Sequence, residues 1–376
     1  MHDSNQMGRH AGWWPWRTNG YDKESTVKAP HRLRPCRHAG VCSPARQRGF
    51  NLIELMIAVT LGLFIIGGTI GIYLANVQAF RTNEGLSRIQ ENLRTSFEVM
   101  AKELRQAGGT MCGSTQIANV LNGSASQWSS NWAGGTLVGY DGAEAPAVAF
   151  GSEAGQRLAG TDAISMLSGD LGNSSFIVSH DTAAAEFELP TGHAFKGGKL
   201  VVVCDGHSAT LLQLTGVDGT QASYKAAATD DEAAPTVAPG NCSTALGYPT
   251  NCDAGTTKAF DTNAVLAELT AATWYVGNNS RGGKSLFRAG ATASEEIAEG
   301  VSDLQIQYLL QDVASRELDS NWVDASAITD WTTAAAKQVV AVQVTLTLVS
   351  SGNIGTNNNP IQRQLTFVAN LRSRTP

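Results

Sequence analysis

The stretch that decides the fold is RQRGFNLIELMIAVTLGLF, Arg46 to Phe64. It holds one carboxylate, Glu54, in a run that otherwise reads as membrane-spanning. A lone acid in hydrocarbon costs roughly 2.5 to 3.5 kcal/mol on insertion scales. Outward from it, Leu52 to Ala75 is 24 residues with that single charge, enough to cross roughly 30 Å of hydrocarbon as a helix. A secretory signal would stop at a small-x-small cleavage site, but this one runs on without Pro into NVQAFRTNEGLSRIQENLRTSFEVMAKELRQAGG. There Leu86, Ile89, Leu93, Phe97, Met100 and Leu104 recur at steps of three and four, the single stripe of an amphipathic helix. Gly108-Gly109 is a helix stop. The spacing therefore predicts one helix over 50–107, about 87 Å long at 1.5 Å per residue.

Gly62, Gly67, Gly68 and Gly71 cluster in the apolar half, each costing up to about 1 kcal/mol of helix stability relative to Ala. Small residues allow close packing of membrane helices. They also make a segment that unwinds easily, and the two readings are compatible.

Charge divides the chain. Residues 1–49 carry nine Lys/Arg and three Asp/Glu, net +6; the rest carries 18 and 30, net −12. A basic end before an apolar run is the cytoplasmic flank of the positive-inside rule. An acidic body lacks the basic face that general nucleic-acid binding needs. Residues 1–45 show no hydrophobic periodicity, and Val41, opening VCSPARQRGF, is read as an alternative start that would leave a short basic leader.

After Gly109 the pattern turns to strands. Expected strands are 162–169, 174–179, 199–205, 209–217, 273–278, 284–290, 302–312, 337–350 and 363–374. VAVQVTLTL alternates as an antiparallel sheet with one face on a core does. The Gly/Ser/Thr/Asn/Pro-rich stretches 113–145, 226–262, 313–330 and 351–360 read as loops. The chain thus reads as α+β: a long amino-terminal helix on an antiparallel, sheet-rich body. Four cysteines follow the apolar run, and an exported body pairs them in one of three ways. Cys242 and Cys252, ten apart across GYPTN, favour each other, which leaves Cys112 with Cys204. No C-x2-C or neighbouring His pair supports zinc instead. The acidic turn ATDDEAAP (228–235) lacks the ligand spacing of a calcium loop.

No nucleophile elbow, P-loop, H-E-x-x-H or dinucleotide fingerprint occurs. Asp205 and His207 in CDGHS read as a strand-end turn. No catalytic residue, metal or cofactor is expected, and a membrane-anchored hydrolase is disfavoured.

RGF-x-LIELM before an unbroken apolar helix resembles the class III signal of type IV prepilins and type II secretion pseudopilins. The matching residues are Gly49, Phe50, Leu52, Ile53, Glu54, Leu55 and Met56. The resemblance implies that a prepilin peptidase cuts between Gly49 and Phe50 and N-methylates Phe50. Physically, Gly49 lets an extended backbone approach a protease, and Arg46 and Arg48 hold the leader in the cytoplasm. Glu54 needs a cationic partner in lipid, yet no Lys, Arg or His follows until Arg81. The α-amino group of Phe50, created by the cut, is such a cation, on the same subunit or a neighbour; the resemblance implies the neighbour.

The carboxyl region, TWYVGNNSRGGKSLFRAG through LTFVANLRSRTP, resembles the PilW-type minor pilins of type IVa pili. Residues 113–260 carry hardly any of the likeness, and Gly71 lies where many major pilins carry a helix-bending Pro. The family implies leader (1–49), helix (50–107, with 52–75 transmembrane) and exported body (108–376). It implies a single-pass inner-membrane protein, its body periplasmic, that passes to the pilus. Its implied partners are the peptidase, other minor pilins, the major pilin and a large tip adhesin. The implied role is in a priming or tip complex that starts pilus assembly and supports adhesion, twitching motility or DNA uptake. A J-type minor pseudopilin of type II secretion is the alternative, and an anchored tip adhesin a second.

Overall fold

The computed structural model describes residues 51–114, 116–144, 148–226, 239–355 and 359–374. The chain divides into two compact units, Met1–Ile65 and Ile66–Pro376. One helix, α1 (Leu52–Gln106), crosses that division. In the first unit it opens with the backbone N–H groups of Glu54 and Leu55 donating to Asn51 O at 2.9 and 3.1 Å. Between Leu52 and Leu74 every large apolar side chain is exposed. By length and composition this helix is able to cross a membrane.

The second unit is built on sheets. The larger runs in the order β1 (Gln116–Asn119), β7 (Ser208–Gln213), β6 (Leu200–Cys204), β10 (Val265–Asn278), β11 (Lys284–Ala289), β12 (Ser294–Glu299). β2 (Leu137–Tyr140) pairs with β3 (Ala163–Phe176), which lies along β10. β10 organises the whole: β3 covers one edge, and β6 and then β11 share the other. A second sheet is β13 (Val301–Asp312), β14 (Lys337–Val349) and β15 (Gln362–Asn370), all antiparallel. A third joins β4 (Ser179–Asp181), β5 (Glu186–Glu188), β9 (Gln221–Ser223) and β8 (Gly216–Asp218).

The amphipathic stripe of α1 does what its spacing asks. Ile89, Met100 and Leu104 are buried, with Leu93 and Phe97 packed beside them, in a core shared with Trp274, Ile306, Val342 and Leu346. Each fully buried side chain of this size contributes about 1.5–3 kcal/mol. Phe97 meets Phe367 of β15 edge-on at 4.9 Å. The helix stops at Gly108, whose φ of +74° is costly for any residue with a Cβ. Gly139 is required for a different reason: a Cβ there would lie 2.1 Å from the Tyr308 hydroxyl oxygen.

Disulfides join Cys112 to Cys204 and Cys242 to Cys252. The first ties the segment after the helix to the end of β6, and the second closes a ten-residue loop.

The strands depart from the sequence expectation where pairing overrides local pattern. β10 begins at Val265, eight residues before the expected 273. Its first half, VLAELTAA, is poor in β-branched residues, but β3 and β6 clamp it from both sides. The expected strands 162–169 and 174–179 are largely one strand, β3, whose register on β10 shifts so that residues 171–173 bulge out. The expected strand 209–217 breaks after Gln213, and its end joins the third sheet. β1 and β2 lie within a stretch whose composition predicts a loop, and acidic β12 (SEEIAE) lacks the apolar alternation that marks a strand in sequence. Arg281 donates to both Glu296 and Glu299 of β12, its Nε reaching Glu299 Oε1 at 3.1 Å.

Candidate functional site

The helix carries two sites, one in each half. In the apolar half, Glu54 lies in the first turn, exposed among apolar neighbours. Among the described residues it takes part in no ion pair, and the first cation after it is Arg81. In hydrocarbon, a carboxylate placed so would require a cation from outside the described residues. Gly49, Phe50, Arg46 and Arg48 lie outside the described residues, as do the acidic turn 228–235 and Cys36 and Cys42. A Cβ built at Gly62, Gly67, Gly68 or Gly71 would meet nothing within 4 Å. Packing inside the described chain therefore does not account for these four glycines.

In the amphipathic half, the helix is fastened by polar side chains that the apolar stripe does not reveal. Glu103 is the centre. Its Oε2 accepts the indole N–H of Trp274 at 2.7 Å, and its Oε1 accepts Arg288 Nε at 2.7 Å. Trp274 and Arg288 face each other across β10 and β11, so one carboxylate ties the helix to both strands. Further toward the apolar half, Gln78 Nε2 and Thr82 Oγ1 donate to Ile354 O at 2.9 and 2.7 Å. Asn92 Nδ2 donates to Glu299 O at 2.9 Å. At the other end Ser373 Oγ donates to Ala107 O at 2.6 Å. Local sequence hardly marks Glu103. The one local signal is an acid on the shoulder of the stripe between Met100 and Leu104; its partners are 171 and 185 residues away.

The groups in the body that resemble catalytic ones are engaged structurally. Asp205 Oδ1 accepts the backbone N–H groups of His207 and Ser208 at 2.8 and 2.7 Å, and its Oδ2 meets Lys258 Nζ at 2.7 Å. Partial burial works against its charge, but Lys258 and those N–H groups hold its carboxyl below the usual range. It shapes the turn between β6 and β7. His180 is packed against Phe187 and Tyr224. Its Nδ1 accepts the Phe260 N–H at 3.0 Å, which leaves Nε2 as the protonated nitrogen, bonded to the Tyr224 hydroxyl at 2.5 Å. Burial lowers its pKa to about 4, so it stays neutral. Arg157 is fully buried, and its guanidinium donates to the carbonyls of Tyr140, Asp141, Glu144 and Thr161.

Asp162, just before β3, ties the first sheet to β13 of the second. Its N–H donates to Leu304 O at 2.8 Å and its Oδ2 accepts the Ile306 N–H at 2.8 Å. Burial raises its pKa to about 6 against the pull of that hydrogen bond.

Residues 273–370 match the family model described as PilW, type IV Pilus-assembly protein W. The matched span runs from Thr273 in β10 through β15, and includes Trp274, Arg288 and the strands that receive α1. No curated protein and no solved structure matches the chain. The match supports a PilW-type protein of type IV pilus assembly.

Proposed function

We propose, from a PilW-type carboxyl region joined to a long apolar helix, that the chain is a minor pilin of the type IV pilus. In this reading it is held in the inner membrane by residues 52–75, with the body on the periplasmic side. A prepilin peptidase removes the leader at Gly49–Phe50 and methylates the new amine of Phe50. The subunit then joins other minor pilins in a priming or tip complex, on which the major pilin assembles and which a large adhesin completes.

The observation that carries the reading is Glu54: one exposed carboxylate in the first turn of an apolar helix, without an ion-pair partner among the described residues. The helix must leave lipid for a filament, and a Glu54 paired with a neighbouring subunit's amino terminus sets the axial step between subunits. Leaving an ionised partner unmatched in such a place costs several kcal/mol, so the pair selects register. The exposed glycines at 62, 67, 68 and 71 supply a helix that bends or unwinds during that transfer.

Glu54→Ala tests this. Cleavage at Gly49–Phe50 is expected to continue, while incorporation into filaments and co-purification with partner pilins are lost. Normal surface piliation with normal co-purification would remove the role given to Glu54. Co-purification with type II secretion pseudopilins instead of pilins would move the chain to the secretion pseudopilus.

A further inference from the structure

Where α1 ends, the body holds an open cleft of about 340 Å³. Arg105, Met111, Leu171 and Arg372 line it, together with the backbone of Gly109 and Gly169. We propose that this cleft docks a segment of a protein partner that carries a carboxylate beside an apolar side chain. Its residues lie in the last turn of α1 and in the body, so it holds whether or not the chain is a pilin.

Charge is the first argument. Among the described residues, both ionised side chains of the lining are arginines, and no Asp or Glu lines the cleft. The two are adjacent, since the Arg372 N–H donates to Arg105 O at 3.2 Å. Among the described residues neither guanidinium has an acidic partner, whereas Arg288 meets Glu103 and Arg281 meets Glu296. Arg374, two residues on, is occupied by Thr136 Oγ1 at 3.0 Å and Val339 O at 3.3 Å. The cleft of about 290 Å³ beside residues 81–92 differs, because Glu84 and Glu299 line it with Arg81 and Arg88. A positive cleft on a chain whose residues 50–376 are net −12 fits an anionic partner. The favourable end of the helix dipole accounts for Arg105, but not for Arg372, which lies outside the helix.

Shape is the second. Leu171 is 61% exposed at the bulge in β3, where Asp170 faces Glu268 and Ser174 faces Ala267 across the slipped register. Asp170 Oδ1 accepts the Gly172 N–H at 2.8 Å, and Asn173 bonds to Glu268, so the bulge is held in place. An exposed leucine fixed in this way adds nothing to the core. Opposite it, Met111 has φ +68°, a conformation that costs a residue with a Cβ energy and persists only when its surroundings impose it. The imposing contacts are the Gly169 N–H to Gly109 O bond of 3.0 Å on one side and the Cys112–Cys204 disulfide on the other. Bulge, strained residue and disulfide thus hold two apolar side chains beside two free guanidiniums. Guanidinium forks bind carboxylates with two parallel hydrogen bonds, and the Met and Leu side chains receive the neighbouring apolar group.

The experiment places a benzoylphenylalanine photocrosslinker at position 171 of the full chain in its own cells, and maps the adducts by mass spectrometry. Adducts are expected on one partner segment with an Asp, Glu or terminal carboxylate within two residues of an apolar side chain. Arg105→Glu with Arg372→Glu is expected to lower their yield by at least about tenfold, the loss of a matched charge contact. Lys at both positions is expected to retain most of it. A crosslinker at exposed Leu318 should give no such adduct, and formation of both disulfides in each variant shows that the body is folded. Adducts confined to the chain's own residues, adducts spread over unrelated segments, no adducts, or a yield indifferent to charge reversal would each overturn the proposal.

Discussion

Glu103 offers the sharpest test of how the helix is held. Glu103→Ala removes the acceptor of a fully buried indole N–H and leaves Arg288 without its partner. Breaking a fully buried ion pair from one side costs about 3–5 kcal/mol, and an orphaned buried donor about 1–3 kcal/mol. The side chains here keep 17% and 23% of their exposure, so water reaches both and the low end applies. The expected loss is about 3 kcal/mol. Glu103→Gln keeps one carbonyl oxygen, which goes on accepting the indole N–H, and loses the charge; its expected loss is about 1 kcal/mol, that of a modest charged hydrogen bond. Urea unfolding of a soluble body starting at Asn76, followed by tryptophan fluorescence, measures both. Hydrogen exchange adds location: amides of 95–106 should lose protection before those of β13, β14 and β15. An Ala variant within about 0.5 kcal/mol of the parent, the size of an ordinary surface change, would refute the reasoning. So would a Gln variant as costly as the Ala variant.

Two further expectations come from the body. The Cys112–Cys204 bridge spans 92 residues and Cys242–Cys252 spans ten; loop-closure entropy assigns them about 4.7 and about 2.8 kcal/mol. Replacing the long-range pair by Ser should therefore lower the urea midpoint more than replacing the short-range pair, and the reverse order would contradict this. The pH dependence sets two groups against each other. His180, with its pKa lowered to about 4, stabilises the body fully above its ordinary 6.5 and loses that contribution as pH falls toward 4. Asp162, raised to about 6 from 3.8, stabilises fully below 3.8 and loses its contribution as pH rises toward 6. Between pH 4 and 6 the two slopes oppose. Asp162→Asn keeps an acceptor for the Ile306 N–H and deletes one slope, so stability should then fall steadily on acidification from pH 6.5 to 4, measured by urea midpoint. A pH profile unchanged from the parent would show that Asp162 does not titrate as its burial implies.

The helix was legible because its signals are local. Leu86 to Leu104 recur at helical spacing, Gly108 ends the run, and α1 stops at Gln106. Alternation in VAVQVTLTL likewise marks β14, whose burial alternates over Val342–Leu346 and is continuous on either side. What stayed hidden depends on distant partners. VLAELTAA is a strand because β3 and β6 bracket it, and SEEIAE is one because β11 pairs with it and Arg281 meets Glu296 and Glu299. Glu103 reads as one more solvated helix acid until Trp274 and Arg288 are brought to it. The cleft by Arg105 and Arg372 is built from a bulge and a disulfide that join segments about 60 to 270 residues apart in sequence, separations at which no local pattern operates. Glu54 is the contrary case: it stands out in the sequence because an unpaired acid in an apolar run is anomalous by itself.

The most direct measurement is the amino terminus of the mature chain, by mass spectrometry of protein from its own cells with and without the prepilin peptidase. The account expects a peptide beginning at Phe50 and carrying one methyl group on its amine, and an intact Gly49–Phe50 bond when the peptidase is absent. A mature chain that begins elsewhere, or one cut at Phe50 without the peptidase, would contradict it.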